Sequence, residues 1–231
     1  MASIPPPTER AGWQPAEALR DIGRRFYGRG WSVGTSSNYS VVLQQEPLQL
    51  LLTASGKDKG ALEPEDFVVV DAAGRPLDGE PAKPSAETML HCVLAAEGDV
   101  GAVLHTHSVW GTLLSDYYAD RGAAPIEGYE MLKGLAGVGT HEHRQEVVIF
   151  ENTQDIPALA EQVRRQMQDA DRPLLHGFLI RNHGLYAWGA DLFEARRHIE
   201  IFEFLFEVLG RKLMLPSRET RERTPSLAAA D

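Results

Sequence analysis

The chain has 231 residues, 43% of them hydrophobic, which is enough for one large domain with a core. Its 23 basic and 33 acidic residues leave a formal charge of −10, with no basic run before the tail, and this argues against nucleic acid as a partner. One cysteine, Cys92, excludes an intrachain disulfide. No apolar stretch nears the ~18 residues of a membrane span, and the first residues lack the pattern of a secretory signal. The expectation is a soluble cytoplasmic protein with no membrane partner.

Residues 1–12 are proline-rich and are expected to be a flexible N-terminus. Pro15 to Arg29 reads as a helix, with Ala18, Leu19, Ile22 and Phe26 on one apolar face and Gly30 as its stop. The segment from Gly30 to Ser40 is small, polar and glycine-containing. Its hydroxyls and backbone N–H groups suit an anion, and equally an ordinary surface turn. Two strands follow, near Tyr39–Gln45 and Leu48–Ala54, turning at Glu46-Pro47. The second runs into Thr53-Ala-Ser55-Gly56-Lys57, a donor-rich turn without the glycine spacing of a P-loop. Phe67–Asp71 and Arg75–Asp78 read as a hairpin. Ser85 to Glu97 reads as a helix capped by Ser85, which puts Glu87 in the first turn, where the helix dipole favours a carboxylate. His91 and Cys92 are expected to pack on that helix.

Gly101-Ala-Val-Leu-His105-Thr-His107 reads as a buried strand ending in two histidines. Side chains at i and i+2 share a strand face, so two imidazoles stand side by side at a strand end. That pair suits a borderline divalent cation such as zinc, and equally two unrelated histidines on one face. Val109–Tyr118 reads as a helix. Glu127 and Glu130, three residues apart, would share a face if helical. His141 and His143 form a second His-x-His in a glycine-rich segment, read as a loop or subunit contact. Glu146–Glu151 is a strand and Asp155–Ala170 a helix. Gly177–Gly189 is two short strands bent at His183-Gly184, a position that makes His183 the natural third imidazole. Asp191–Leu215 is a long helix on which Ile201 and Phe204 widen the apolar surface toward another subunit. Residues 216–231 are expected to be a disordered tail. Strands in pairs between helices predict one α/β domain over residues 13–215, with a central, mainly antiparallel sheet flanked by helices.

Five motifs occur in order: Gly34-Thr-Ser-Ser-Asn38, Thr53-Ala-Ser55-Gly56, Lys83-Pro-Ser85-Ala86-Glu87, His105-Thr-His107 and Arg181-Asn-His183-Gly184. Together they resemble the signature of the class II aldolase/adducin family over about residues 15–213. The resemblance implies the class II aldolase-like layered fold. It implies one zinc ion (Zn²⁺) per subunit on His105, His107 and His183. It implies a substrate-phosphate site drawn from Ser37, Asn38, Ser55, Gly56 and Ser85, and a homotetramer with active sites near subunit contacts. Tyr129-Glu130-Met131-Leu-Lys133-Gly134 and Phe150-Glu-Asn-Thr153 look most like the family's dehydrating branch. That branch removes water from a methylthio-bearing pentulose 1-phosphate in methionine salvage, and is a lyase acting on a small sugar phosphate. The alternatives are an aldolase or epimerase on a pentulose phosphate and a non-catalytic adducin-like module; the latter branch lacks the histidine set. Family aldolases carry glycine where this chain has Ser37, and a serine where it has Ala86. They use the carboxylate matching Glu87 as acid/base, whereas the dehydratases use the one matching Glu130. This chain has both catalytic candidates, Glu130 first and Glu87 second.

Overall fold

The computed structural model describes residues 14–216, except 78, 80, 81, 171 and 172. The expectations for residues 1–12, for Asp78 and for the tail from 217 onward therefore lie outside the described residues. In chain order the regular elements are α1 (Pro15–Gly28), β1 (Asn38–Gln44), β2 (Gln49–Thr53), β3 (Phe67–Asp71), α2 (Thr88–Ala95), β4 (Ala102–Thr106), α3 (Val109–Tyr117), β5 (Ala123–Glu127), β6 (Arg144–Phe150), α4 (Ile156–Met167), β7 (Gly177–Ile180), β8 (Gly184–Gly189) and α5 (Leu192–Met214).

The eight strands form one sheet in the order β3-β2-β1-β4-β8-β7-β6-β5. Every neighbouring pair is antiparallel except β6 and β7. The two central strands β4 and β8 are buried along their whole length, because helices cover both faces. On one face Leu19, Ile22 and Phe26 of α1, Leu114 of α3 and the apolar side of α5 pack over Leu104, Leu185 and Ala187. On the other face Leu90, Val93 and Leu94 of α2 meet Leu159 and Val163 of α4 over Val103, Phe178 and Trp188. Side chains α3, α4 and α5 need at their first turns come from Ser108, Asp155 and Asp191, which accept the N–H groups of Gly111, Ala158 and Glu194. No helix among the described residues is long and apolar enough to cross a membrane.

Several expectations are corrected. The helix expected from Ser85 begins at Thr88. Residues 83–84 are held extended by a bridge between Ala54 and Pro84 and a Ser55 N–H to Lys83 carbonyl bond, so Ser85 closes a turn instead. Its Oγ accepts the Glu87 N–H at 3.2 Å. Glu87 therefore takes the N-cap position, and its carboxylate makes no cap bond. Among the described residues the return of the β3 hairpin is a bridge from Val70 to Pro76, flanked by the Asp71 N–H on the Arg75 carbonyl and the Leu77 N–H on the Val69 carbonyl. Glu127 and Glu130 share no helix face: Glu127 ends β5, Gly128 turns the chain at φ +79°, and Glu130 opens a 3₁₀ turn. β5 itself, Ala-Ala-Pro-Ile-Glu, is a strand that periodicity did not mark. It sits at the sheet edge, where Pro125 is tolerated. Ile201 is not an outward residue; it is buried against Gly134, while Phe204 and Phe193 stay exposed.

Candidate metal centre and its cleft

The register of β1, β4 and β8 sets Asn38 opposite His105 and His105 opposite Tyr186. These three side chains form one row on the face covered by α2, and the His105 ring stacks on Tyr186 at 4.0 Å between centroids. His107 lies just past the end of β4, where its N–H donates to the Trp31 carbonyl at 2.8 Å. His183 sits in the turn between β7 and β8. Asn182 in that turn has φ +53°, its N–H bonds to Ser115 Oγ, and the His183 carbonyl accepts the Thr112 hydroxyl, so α3 clasps the turn. Gly184 permits the approach: a Cβ there would lie 2.0 Å from the Thr106 carbonyl oxygen.

These elements bring His105, His107 and His183 together with their ligand nitrogens all within 4.8 Å of one another. The Nε2 atoms of His105 and His107 are 2.7 Å apart. His105 Nδ1 stands 2.9 Å from the Leu185 carbonyl, which can only accept, so the ring proton is on Nδ1 and the Nε2 lone pair faces its neighbours. Burial, then the adjacent imidazoles, push the pKa of His105 well below its ordinary value. Burial and His183 push that of His107 down to about 4. Both rings are neutral near pH 7, the state in which imidazole binds a metal. Three converging imidazole nitrogens fit a divalent ion and leave a coordination position for a ligand from solution. Among the described residues this is the only group of its kind; His141 and His143 are not part of it.

The Glu87 carboxylate, which no helix cap claims, lies 3.3 Å from His183 Nε2 and 3.6 Å from His105 Nε2. It accepts a hydrogen bond from Asn38 Nδ2 at 2.8 Å. The same amide nitrogen lies 3.3 Å from Ser85 Oγ, and Asn38 Oδ1 is bonded to His91 Nε2. The Tyr186 hydroxyl is buried without a hydrogen-bond partner among the described residues. Burial and the nearby Glu87 charge hold its pKa well above that of an ordinary phenol, so it stays neutral.

A cleft of about 470 Å³ opens in front of the histidines and Glu87. Ser37, Ser55, Gly56 and Ser85 all line it, as the sequence predicts for the phosphate site. Asn38 lines it too, but its amide is already engaged with Glu87, Ser85 and His91. Thr35, Ser36, Asn152 and Gln154 add polar wall; the first three lie in the sequence motifs without a phosphate-site assignment, and Gln154 carries no sequence signal. No lysine or arginine lines the cleft among the described residues. An anion there would be met by neutral donors; Ser37 (φ +70°) and Gly56 (φ +71°) both adopt the left-handed backbone conformation. Lys57 is paired with Asp66 at 2.7 Å.

Glu130 stands apart from this cluster. Its side chain is 70% exposed, lies 2.5 Å from Lys133 Nζ and 3.6 Å from His141 Nδ1, and is not in the cleft wall. The Lys133 ammonium holds its carboxyl below the usual glutamate range.

The sequence profile described as class II aldolase and adducin N-terminal domain matches residues 17–209. A protein of Pseudomonas fluorescens (strain Pf0-1) named methylthioribulose-1-phosphate dehydratase is 50% identical over 196 residues, covering 84% of this chain and 91% of that one. A protein of the same name from Stenotrophomonas maltophilia (strain K279a) is 47% identical over 205 residues, covering 88% and 93%. Among solved structures, the YgbL protein of Escherichia coli superposes with a TM-score of 0.71 at 25% identity, over 88% of this chain and 90% of that one. An L-fuculose 1-phosphate aldolase superposes at 0.69 with 23% identity, over 90% and 92%, and so shares the fold.

Proposed function

The chain belongs to the class II aldolase and adducin family, and from that membership we propose that it is a lyase that dehydrates 5-methylthioribulose 1-phosphate to 5-methylthio-2,3-dioxopentyl phosphate, a step of methionine salvage. The observation that carries the proposal is the meeting of three imidazoles with a carboxylate at the mouth of a cleft walled by hydroxyls. Relatives 47–50% identical over most of both chains, and named for this reaction, support it.

His105, His107 and His183 would hold the ion, zinc in this reading and one per subunit. The ion would supply a Lewis acid for the substrate's C2 carbonyl and the charge that develops beside it. The phosphate at C1 rests on Ser37, Ser55, Gly56 and Ser85, and on the backbone of Asn38, which fixes the rest of the sugar toward the histidines. A carboxylate takes the proton from C3. The hydroxyl on C4 leaves as water, and needs a proton because hydroxide is a poor leaving group. The resulting enol then gains a proton at C4 and relaxes to the 2,3-diketone. Glu130 is assigned this acid/base role, which contributes roughly 10²–10⁴-fold in such reactions. Its exposed position fits service in the cleft of a neighbouring subunit. An apolar stripe on α3, Val109, Leu113 and Tyr117, is 68%, 55% and 63% exposed and starts beside His107. Such a stripe fits burial by another copy in a homotetramer close to the metal centre.

Product mass decides the reaction. With zinc-loaded protein and methylthioribulose 1-phosphate, a product lighter by one water is expected; two carbon fragments would assign an aldolase instead. Mixing tests Glu130. Glu130→Gln and His183→Ala are each expected to be inactive, and subunit exchange between them to restore part of the turnover. No recovery would return the acid/base role to Glu87 within one chain.

A further inference from the structure

Behind Glu87 lies a line of buried polar groups that the proposed reaction does not use. His91 on α2 is fully buried, and burial pushes its pKa down to about 3, so it is neutral, with one N–H and one lone pair. Its Nε2 meets Asn38 Oδ1, and its Nδ1 lies 2.8 Å from Ser40 Oγ. Asn38 Nδ2 lies 2.8 Å from the Glu87 carboxylate. The direction of every hydrogen bond follows from one end. The Asn38 NH₂ faces Glu87, donating from Nδ2 to Oε2 at 2.8 Å. Asn38 Oδ1 must then face His91, and His91 must donate from Nε2. Nδ1 is left as the acceptor, and the Ser40 hydroxyl donates to it.

We propose that His91 is a positioning residue: by fixing the amide of Asn38 it holds the Glu87 carboxylate toward His105 and His183. The inference rests on the cleft being the reaction centre. It holds whichever carboxylate moves the proton, since Glu87 stands 3.3 Å from His183 Nε2 and 3.6 Å from His105 Nε2 in either case. Without a donor at Nε2, Asn38 Oδ1 would be buried and unpaired. The amide is then free to turn, and an oxygen facing Glu87 repels the carboxylate. The Tyr186 ring packs edge-on against His91 with centroids 5.7 Å apart.

Two substitutions separate this role from simple packing. Gln reaches far enough to put an N–H near the Nε2 position; Leu fills the volume without one. His91→Leu is expected to lower kcat by roughly tenfold or more with KM little changed, whereas His91→Gln stays within about threefold of the parent. In an Asn38→Ala background, His91→Leu is expected to lower kcat no further, because the effect passes through that amide. Equal losses for His91→Gln and His91→Leu, or full additivity with Asn38→Ala, would overturn the proposal. A second measurement needs no turnover. Long-range ¹H–¹⁵N spectra of the zinc-loaded parent should show His91 protonated at Nε2 and bare at Nδ1; the opposite tautomer would overturn the proposal even if the variants lose activity. If the parent fails to turn over the ketose phosphate, the proposed reaction falls, and the tautomer alone decides the hydrogen-bond line.

Discussion

Ser55 and Asn38 show how far a residue's role can be read before its neighbours are known. Ser55 stands in the polar turn after β2 and Asn38 opens β1, and both line the cleft. The alternation along β4 and the bend at His183-Gly184 were enough to single out the three imidazoles, because a strand end and a tight turn each aim a side chain in a known direction. Alternation does not give cross-strand register. That is why the row Asn38–His105–Tyr186, and His91 above it, could not be read from the sequence. In sequence Glu87 reads both as a first-turn carboxylate favoured by the helix dipole and, through the resemblance, as the second acid/base candidate; the structure places it after the turn at Ser85, with its carboxylate uncapped. At this scale the cleft makes a direct prediction. No cation lines it among the described residues, so under the proposed function each hydroxyl carries a visible share of phosphate binding. Ser55→Ala should raise KM several-fold while kcat changes less, as expected for a contact made equally in ground and transition states. A fall in kcat at unchanged KM would move Ser55 from the phosphate to the reacting carbons.

Each element that carries a ligand is held from a second direction. β8 packs so closely on β4 that Gly184 admits no side chain, and α3 holds the preceding turn through Thr112 and Ser115. β4 is tied to α5 by the Thr106 hydroxyl, 2.7 Å from the buried Glu203 carboxyl, whose pKa burial pushes up to about 7. The turn bearing Glu130 is fixed to the same helix. His198 Nε2 accepts the Ala136 N–H at 3.1 Å, His176 Nε2 donates to the Ala136 carbonyl at 2.7 Å, and Gly134 packs on Ile201. Glu130 is thus held outward by its own chain, in keeping with action on a neighbour. Strands β1 to β4 and the helices α1, α3, α4 and α5 were legible from period and caps. β5 was not, because a five-residue edge strand with a proline carries almost no periodic signal. Gly184→Ala tests the tie between β4 and β8. The added Cβ would fall 2.0 Å from the Thr106 oxygen, so the strands must part. A loss of roughly 1–3 kcal/mol is expected in chemical denaturation, together with weaker metal binding as His183 is displaced. Unchanged metal affinity at lowered stability would mean that α3 alone positions His183.

For the molecule as a whole, the sheet brings residues about eighty positions apart to one point, with β1, β4 and β8 side by side although two hairpins and three helices separate them in the chain. The layered α/β fold positions the centre at the ends of these strands, and the exposed α3 stripe lies beside it. The proposed function depends on three histidines acting as one ligand set with a position left open. Elemental analysis and zinc-edge absorption of the parent and of His183→Ala test this most directly. The parent should hold about one ion per chain, bound by three imidazole nitrogens and a light ligand from solution, and His183→Ala should lose it while keeping its fold. Full occupancy in His183→Ala, or a fourth protein ligand closing the site in the parent, would contradict the account.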